Sequence, residues 1–147
     1  MDDEDPNKHA REFDVKFYVA GHALIRKDTK YLVTRRSKTN EYMPLKWDIP
    51  GGIVLPSETL EEAIYREVYE ETKLSIQVGR VVRIYANRDQ VPKRQTFQAV
   101  YLAVYLSGEV QLNPSEHDMY QWLSYSDIAD LDAIDFLVDL IKSYIPP

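Results

Sequence analysis

Residues 60–72, Leu-Glu-Glu-Ala-Ile-Tyr-Arg-Glu-Val-Tyr-Glu-Glu-Thr, constrain this chain more than any other stretch. Thr59-Leu60-Glu61-Glu62 fits a capping box, so the spacing predicts a helix starting at Leu60. On a helical wheel Leu60, Ala63, Ile64, Val68 and Leu74 share one half. Glu58, Glu61, Glu62, Tyr65, Arg66, Tyr69 and Thr72 fall on the other half, expected to face solvent. Glu67, Glu70 and Glu71 break the pattern, because they land among the apolar residues at i, i+3, i+4 spacing. Like charges so placed destabilise a helix by roughly a few tenths of a kcal/mol per pair. Burial raises that to about several kcal/mol per unpaired carboxylate. A solvated face is the ordinary fate of a charge run. Three carboxylates on the buried half point instead to a divalent cation.

Composition narrows the choice of ion. The 147 residues contain no Cys, which excludes disulfides, thiolate zinc sites and a cysteine nucleophile. His9, His22 and His117 are too scattered to suggest a three-histidine zinc site. Oxygen ligands are then expected, and with them a hard cation, Mg²⁺ or Mn²⁺ as its substitute. With 18 Lys+Arg against 24 Asp+Glu the net charge is -6, which argues against duplex nucleic acid as a partner. The acidic start does not resemble a signal peptide, and the longest apolar run, Ala99 to Leu106, is too short to cross a membrane. A cytoplasmic protein is expected.

The rest of the chain reads as one layered domain. Residues 1–12 are polar and expected to be flexible, and 13–147 form the domain. Lys16 to Arg26 is apolar on both alternating sets, as in a strand buried on both faces. Asp28-Thr29-Lys30 turns into a second strand, Tyr31 to Arg36, and Pro50-Gly51-Gly52 is a sharp turn. Two further β-rich runs, Ile76 to Asn87 and Gln95 to Leu106, flank a charged loop with Asp89 and Pro92. Ser126 to Leu131 suggests a helical turn, and Ile134, Leu137, Val138, Ile141 and Ile145 an amphipathic helix. This order predicts an α/β fold around a mixed sheet.

Gly52-x5-Glu58-x7-Arg66-Glu67-Val68-Tyr69-Glu70-Glu71-Thr72-Lys73-Leu74 resembles the signature box of the Nudix hydrolases, with every specified position matched except one. Trp47-Asp48-Ile49-Pro50-Gly51 before it, and Glu116-His117 with Trp122-Leu123 after it, resemble the family's flanks. The resemblance implies an α/β/α sandwich and a MutT-like hydrolase. It would cut the pyrophosphate of a nucleoside diphosphate linked to a group X, such as ADP-ribose or a (d)NTP. By position, Glu70 and Glu71 would be the principal metal ligands and Glu67 a ligand or base. Arg66 would orient the carboxylates, Glu58 would be an orienting partner, and the Gly51-Gly52 backbone would lend a carbonyl. Glu116 resembles the extra downstream carboxylate that serves some members as ligand or base; Asp89 and Glu109 are the reserves.

Lys73 is the departure, since the family usually has Gly there. A Lys in a left-handed helix cap costs roughly 1–2 kcal/mol, so the helix ending is open. Arg35 and Arg36 alternate across a strand, so one of the two is a candidate to face the cleft and hold phosphate, surface charge being the alternative. Trp47, Tyr42, Tyr85 and Phe97 are candidates to stack a base, or else core. His22 reads as a hydrogen-bonded core residue. Pro92 lies close to, but off, the register of a proline common in ADP-ribose-selective members. A nucleotide-type small molecule is the expected partner, and a homodimer is allowed. The main alternative is a Nudix-like domain that senses a nucleotide without cleaving it. The retained glutamates speak against that reading, the missing Cys against an isoprenoid-diphosphate isomerase, and the few basic residues Arg88, Lys93 and Arg94 against an RNA decapping enzyme.

Overall fold

Ala20–Ile25 are buried on both faces of β1 (Lys16–Lys27), and that strand organises the computed structural model. The structure describes residues 5, 7–91 and 93–147, apart from the side chains of 9, 10 and 88–91. Within the N-terminal segment, α1 (Lys8–Glu12) is a single helical turn. β1 turns at Asp28 (φ 57°) into β2 (Lys30–Arg36), which pairs antiparallel with β1, with β3 (Trp47–Asp48) and with β7 (His117–Leu123). On its other side β1 runs parallel to β6 (Arg94–Ser107), which pairs antiparallel with β5 (Ser75–Val91). The sheet is therefore mixed, as expected. Pro50-Gly51-Gly52 is more than a turn. Gly51–Ile53 form β4, antiparallel to Ala20–His22 of β1.

Alternation along β1 sends neighbouring side chains into two separate cores. Ala23 and Ile25 meet Ile64 and Val68 of α2 (Leu60–Thr72) on one face. Leu24 meets Ile128 of α3 (Tyr125–Ile128) and Leu137 and Leu140 of α4 (Asp135–Ser143) on the other. The result is an α/β/α sandwich. No helix among the described residues is long and apolar enough to cross a membrane.

α2 begins with the predicted capping box: the Glu62 N–H donates to Thr59 Oγ1 at 3.1 Å, and the Thr59 N–H to Glu62 Oε1 at 3.4 Å. It ends on Lys73 in the left-handed region (φ 64°, ψ 14°), whose N–H donates to the Tyr69 carbonyl. Lys73 thus adopts the conformation that favours Gly, with its Nζ 5.0 Å from the centre of the Tyr69 ring. Lys73→Gly should relieve the strain and raise stability by about 1 kcal/mol, part of the gain being offset by the freer unfolded chain. In thermal melts that is a rise of roughly 2–4 °C in Tm; an unchanged or lower Tm would show that the cap carries no strain.

Candidate active site

The close approach of α2 to β4 creates the site. A Cβ at Gly52 would stand 2.6 Å from the Glu67 carboxyl carbon, so only glycine lets the carboxylate lie against the strand. Gly51 (φ 155°) is equally confined: a Cβ there would meet the Gly21 carbonyl oxygen at 2.2 Å. The Gly51 N–H donates to Glu71 Oε2 at 3.3 Å, so the backbone contribution seen here is a donor to a carboxylate.

These contacts line a cleft of about 510 Å³, a volume suited to a small molecule. Glu67, Glu71, Asp48, Glu116 and His117 crowd one end. Glu71 is 7% exposed. Burial, followed by the charges of Asp48 and Glu67, pushes its carboxyl well above the ordinary glutamate range. Burial also raises Glu67, against the lowering effect of Arg66. Ligand atoms of Glu71, Glu116 and His117 lie within 4.8 Å of one another. Asp48 and Glu71 are buried and Glu67 half-buried, with Glu116 at the exposed edge. Arg36 and Arg66 pair only with Asp48 and Glu67 among these four, so the remaining negative charge and the oxygen donors fit a divalent cation.

Arg66 is the strut behind this end. Its Nε and Nη2 donate to the two Glu58 oxygens at 2.7 and 2.9 Å, Nη1 donates to Glu67 Oε1 at 2.8 Å, and Nη2 to the Ile53 carbonyl at 3.1 Å. The bidentate grip, with the Leu55 N–H as a third donor, lowers the Glu58 carboxyl to about 2. Glu58 therefore holds Arg66, and Arg66 holds Glu67. The wheel set Arg66 toward solvent, but its long side chain folds back across the helix to these acceptors. Thr72, also set outward, is fully buried and donates to the Val68 carbonyl at 2.6 Å.

The structure does not bring every sequence candidate together. Glu70 is exposed, with Nη1 of Arg66 at 3.3 Å, and is outside the cleft lining and the three-residue cluster. Arg35 turns away to a bidentate pair with Asp118. Trp47 packs against the α4-side core. Arg36 does line the cleft, but its guanidinium is committed to Asp48, Asn40 and the Tyr42 carbonyl, which tie down the loop after β2. Tyr42 lines the cleft, Tyr85 packs on the α4-side core, and Phe97 is partly exposed. His22 is buried as expected, donating through Nε2 to Gln98 Oε1 at 2.6 Å and stacked 4.3 Å from Phe136. Pro92 and the Asp89 side chain lie outside the described residues.

Two cleft residues were missed. Asp48 was visible only as part of a flanking run, and nothing in its spacing marked it. His117 stands in the sequence only as one of three scattered histidines and part of a flanking pair, because its approach to Glu71 depends on sheet pairing.

Against known proteins, the NUDIX domain matches residues 16–143, which is most of the chain. This chain belongs to the Nudix family. It is 34% identical over 93 residues to an ADP-ribose pyrophosphatase of Methanocaldococcus jannaschii, covering 63% of this chain and 54% of that protein. It is 28% identical to a MutT-like protein of Streptomyces ambofaciens, covering 85% and 74%. The MutT protein from Methanosarcina mazei Go1 superposes with a TM-score of 0.77 at 28% identity, covering 87% of this chain and 92% of that one. This Nudix chain thus spans about half the length of the first relative and most of the second. The sandwich predicted from the signature box is the fold found.

Proposed function

We propose that this Nudix chain hydrolyses the pyrophosphate bond of a nucleoside diphosphate linked to a group X, a nucleotide sugar such as ADP-ribose or a (d)NTP. The observation that carries the reading is Glu71, a buried carboxylate facing Asp48, Glu67 and Glu116 whose hydrogen-bond partner among the described residues is a single backbone N–H. Such a group is expensive in a folded protein unless a cation joins it. Nudix relatives named as an ADP-ribose pyrophosphatase and a putative 8-oxo-dGTP diphosphatase support the same reaction class.

Glu71, Glu67 and Glu116 would hold the cation, Mg²⁺ or Mn²⁺ in its place. When bound, such a cation neutralises phosphate oxygens and lowers the pKa of water. The protein residues do the rest. Arg66 and Glu58 fix the Glu67 carboxylate, and Gly51 fixes Glu71, so little reorganisation is left for the transition state. Glu116, exposed at the cleft edge, can accept a proton from water and pass it to solvent. Tyr42 and Arg94 also line the cleft, and they would offer an aromatic face to a base and a cation to phosphate.

The test is product analysis with a panel of nucleotide sugars, (d)NTPs and dinucleoside polyphosphates. EDTA should abolish turnover and Mg²⁺ restore it, with two phosphorylated products from each accepted substrate. Full activity in verified metal-free protein would remove the cation from the reading. Tight nucleotide binding with no cleavage of any panel member would favour the sensing domain instead.

A further inference from the structure

His117 opens β7 opposite Arg36, where the pairing of β2 with β7 slips by a bulge between Arg35 and Arg36. Bulges re-aim side chains. Here Asp118 faces outward to Arg35, while His117 turns in and is 4% exposed. Its Nδ1 is buried and has no hydrogen-bond partner among the described residues. A ring nitrogen lies within 4.8 Å of a carboxylate oxygen of both Glu71 and Glu116. His22 provides the internal comparison. Equally buried, it has an acceptor beside each nitrogen, Gln98 Oε1 at 2.6 Å and the Ile49 carbonyl at 3.4 Å. A buried imidazole left unpaired beside two carboxylates has the surroundings of a ligand and lacks those of a core histidine.

We propose that His117 is a nitrogen ligand of the cation held by Glu71 and Glu116, so that this site favours Mn²⁺ over Mg²⁺. The inference rests on the cation site of the proposed function and adds to it a donor outside the signature box. Imidazole suits the borderline first-row ions better than Mg²⁺, which takes oxygen almost exclusively. Ligand atoms on a common ion at about 2.0–2.3 Å are separated by no more than about 4.6 Å, so the present spacing closes with a small movement.

The experiment uses the full chain stripped with EDTA and loaded with Mn²⁺, read by electron spin-echo envelope modulation. The wild type should show coupling of the manganese electron spin to ¹⁴N of an imidazole, and His117→Gln should lose it. By calorimetry, His117→Gln should weaken Mn²⁺ about tenfold or more while changing Mg²⁺ less than about threefold. If the variant does not fold, the wild-type spectrum alone decides. Absence of nitrogen coupling in Mn²⁺-loaded wild type overturns the proposal, as does equal weakening of both ions. Either result, found with intact cation-dependent hydrolysis, leaves the proposed function standing. Nitrogen coupling in a protein that cleaves no pyrophosphate would do the reverse.

Discussion

Glu71→Gln should lower kcat/KM by roughly a thousandfold or more, about 4 kcal/mol of transition-state stabilisation, while leaving the metal-free fold as stable as before or more so. The substitution keeps the volume and the acceptor oxygen for the Gly51 N–H, and it removes the charge. In metal-free protein that charge is unfavourable, because burial and the carboxylates of Asp48, Glu67 and Glu116 all oppose it. The sign follows from proton linkage. The folded chain holds the Glu71 proton at pH values where the unfolded chain has released it. Stability of the EDTA-treated protein should therefore fall as pH rises above the ordinary value of 4.5 toward the raised one. Glu71→Gln should flatten that slope, and urea midpoints across the range measure it. A saturating cation should reverse the order and make the wild type the more stable of the two. Glu61→Gln, on the exposed side of α2, is the control and should behave as the parent. Equal losses from Glu61→Gln and Glu71→Gln would refute the assignment.

Much of this site was legible from the helix alone, and the reason is geometric. Period-3.6 placement fixes Glu67 and Glu71 on the side of Ile64 and Val68 whatever the rest of the chain does, and the capping box fixes where the helix starts. Glu70, exposed, and Thr72, buried, depart from their wheel assignments because they sit at the edges of that side. At an edge the outcome depends on what packs there, and Thr72 is enclosed because the chain at Gln111 donates to its carbonyl. Side-chain length matters too. Arg66 starts from the outer half and still reaches Glu58, Glu67 and Ile53, which a wheel of Cβ directions does not register. Long-range pairing hid the remainder. Arg35 and Arg36 look equivalent as an alternating pair, and only the β7 bulge with Asp118 sends one out while Asp48 draws the other in.

Glu116→Gln is the second large effect expected, a fall of about 10²–10⁴ in kcat with little change in KM. The glutamates of α2 are fixed by Arg66 and Gly51, so they hold charge well and move badly. Glu116 is held differently. Its backbone is anchored, with its carbonyl accepting from the Ser37 N–H at 2.9 Å and its own N–H donating to the Asn113 carbonyl at 2.9 Å. Its residue is nonetheless exposed while a carboxylate oxygen stays within 4.8 Å of Glu71. A fixed backbone with a solvent-reaching carboxylate is the arrangement a proton acceptor needs, because the proton must leave after each turnover. Glu116→Gln preserves the shape and one oxygen that can stay on the cation and removes the charge, so at saturating cation substrate should still bind and water should no longer be activated. Glu116→Asp keeps the charge one methylene short and should recover part of the rate. A pure KM effect, or a rate in Glu116→Gln equal to the parent, would transfer the role to Glu67, whose tie to Arg66 would then have to loosen when substrate binds.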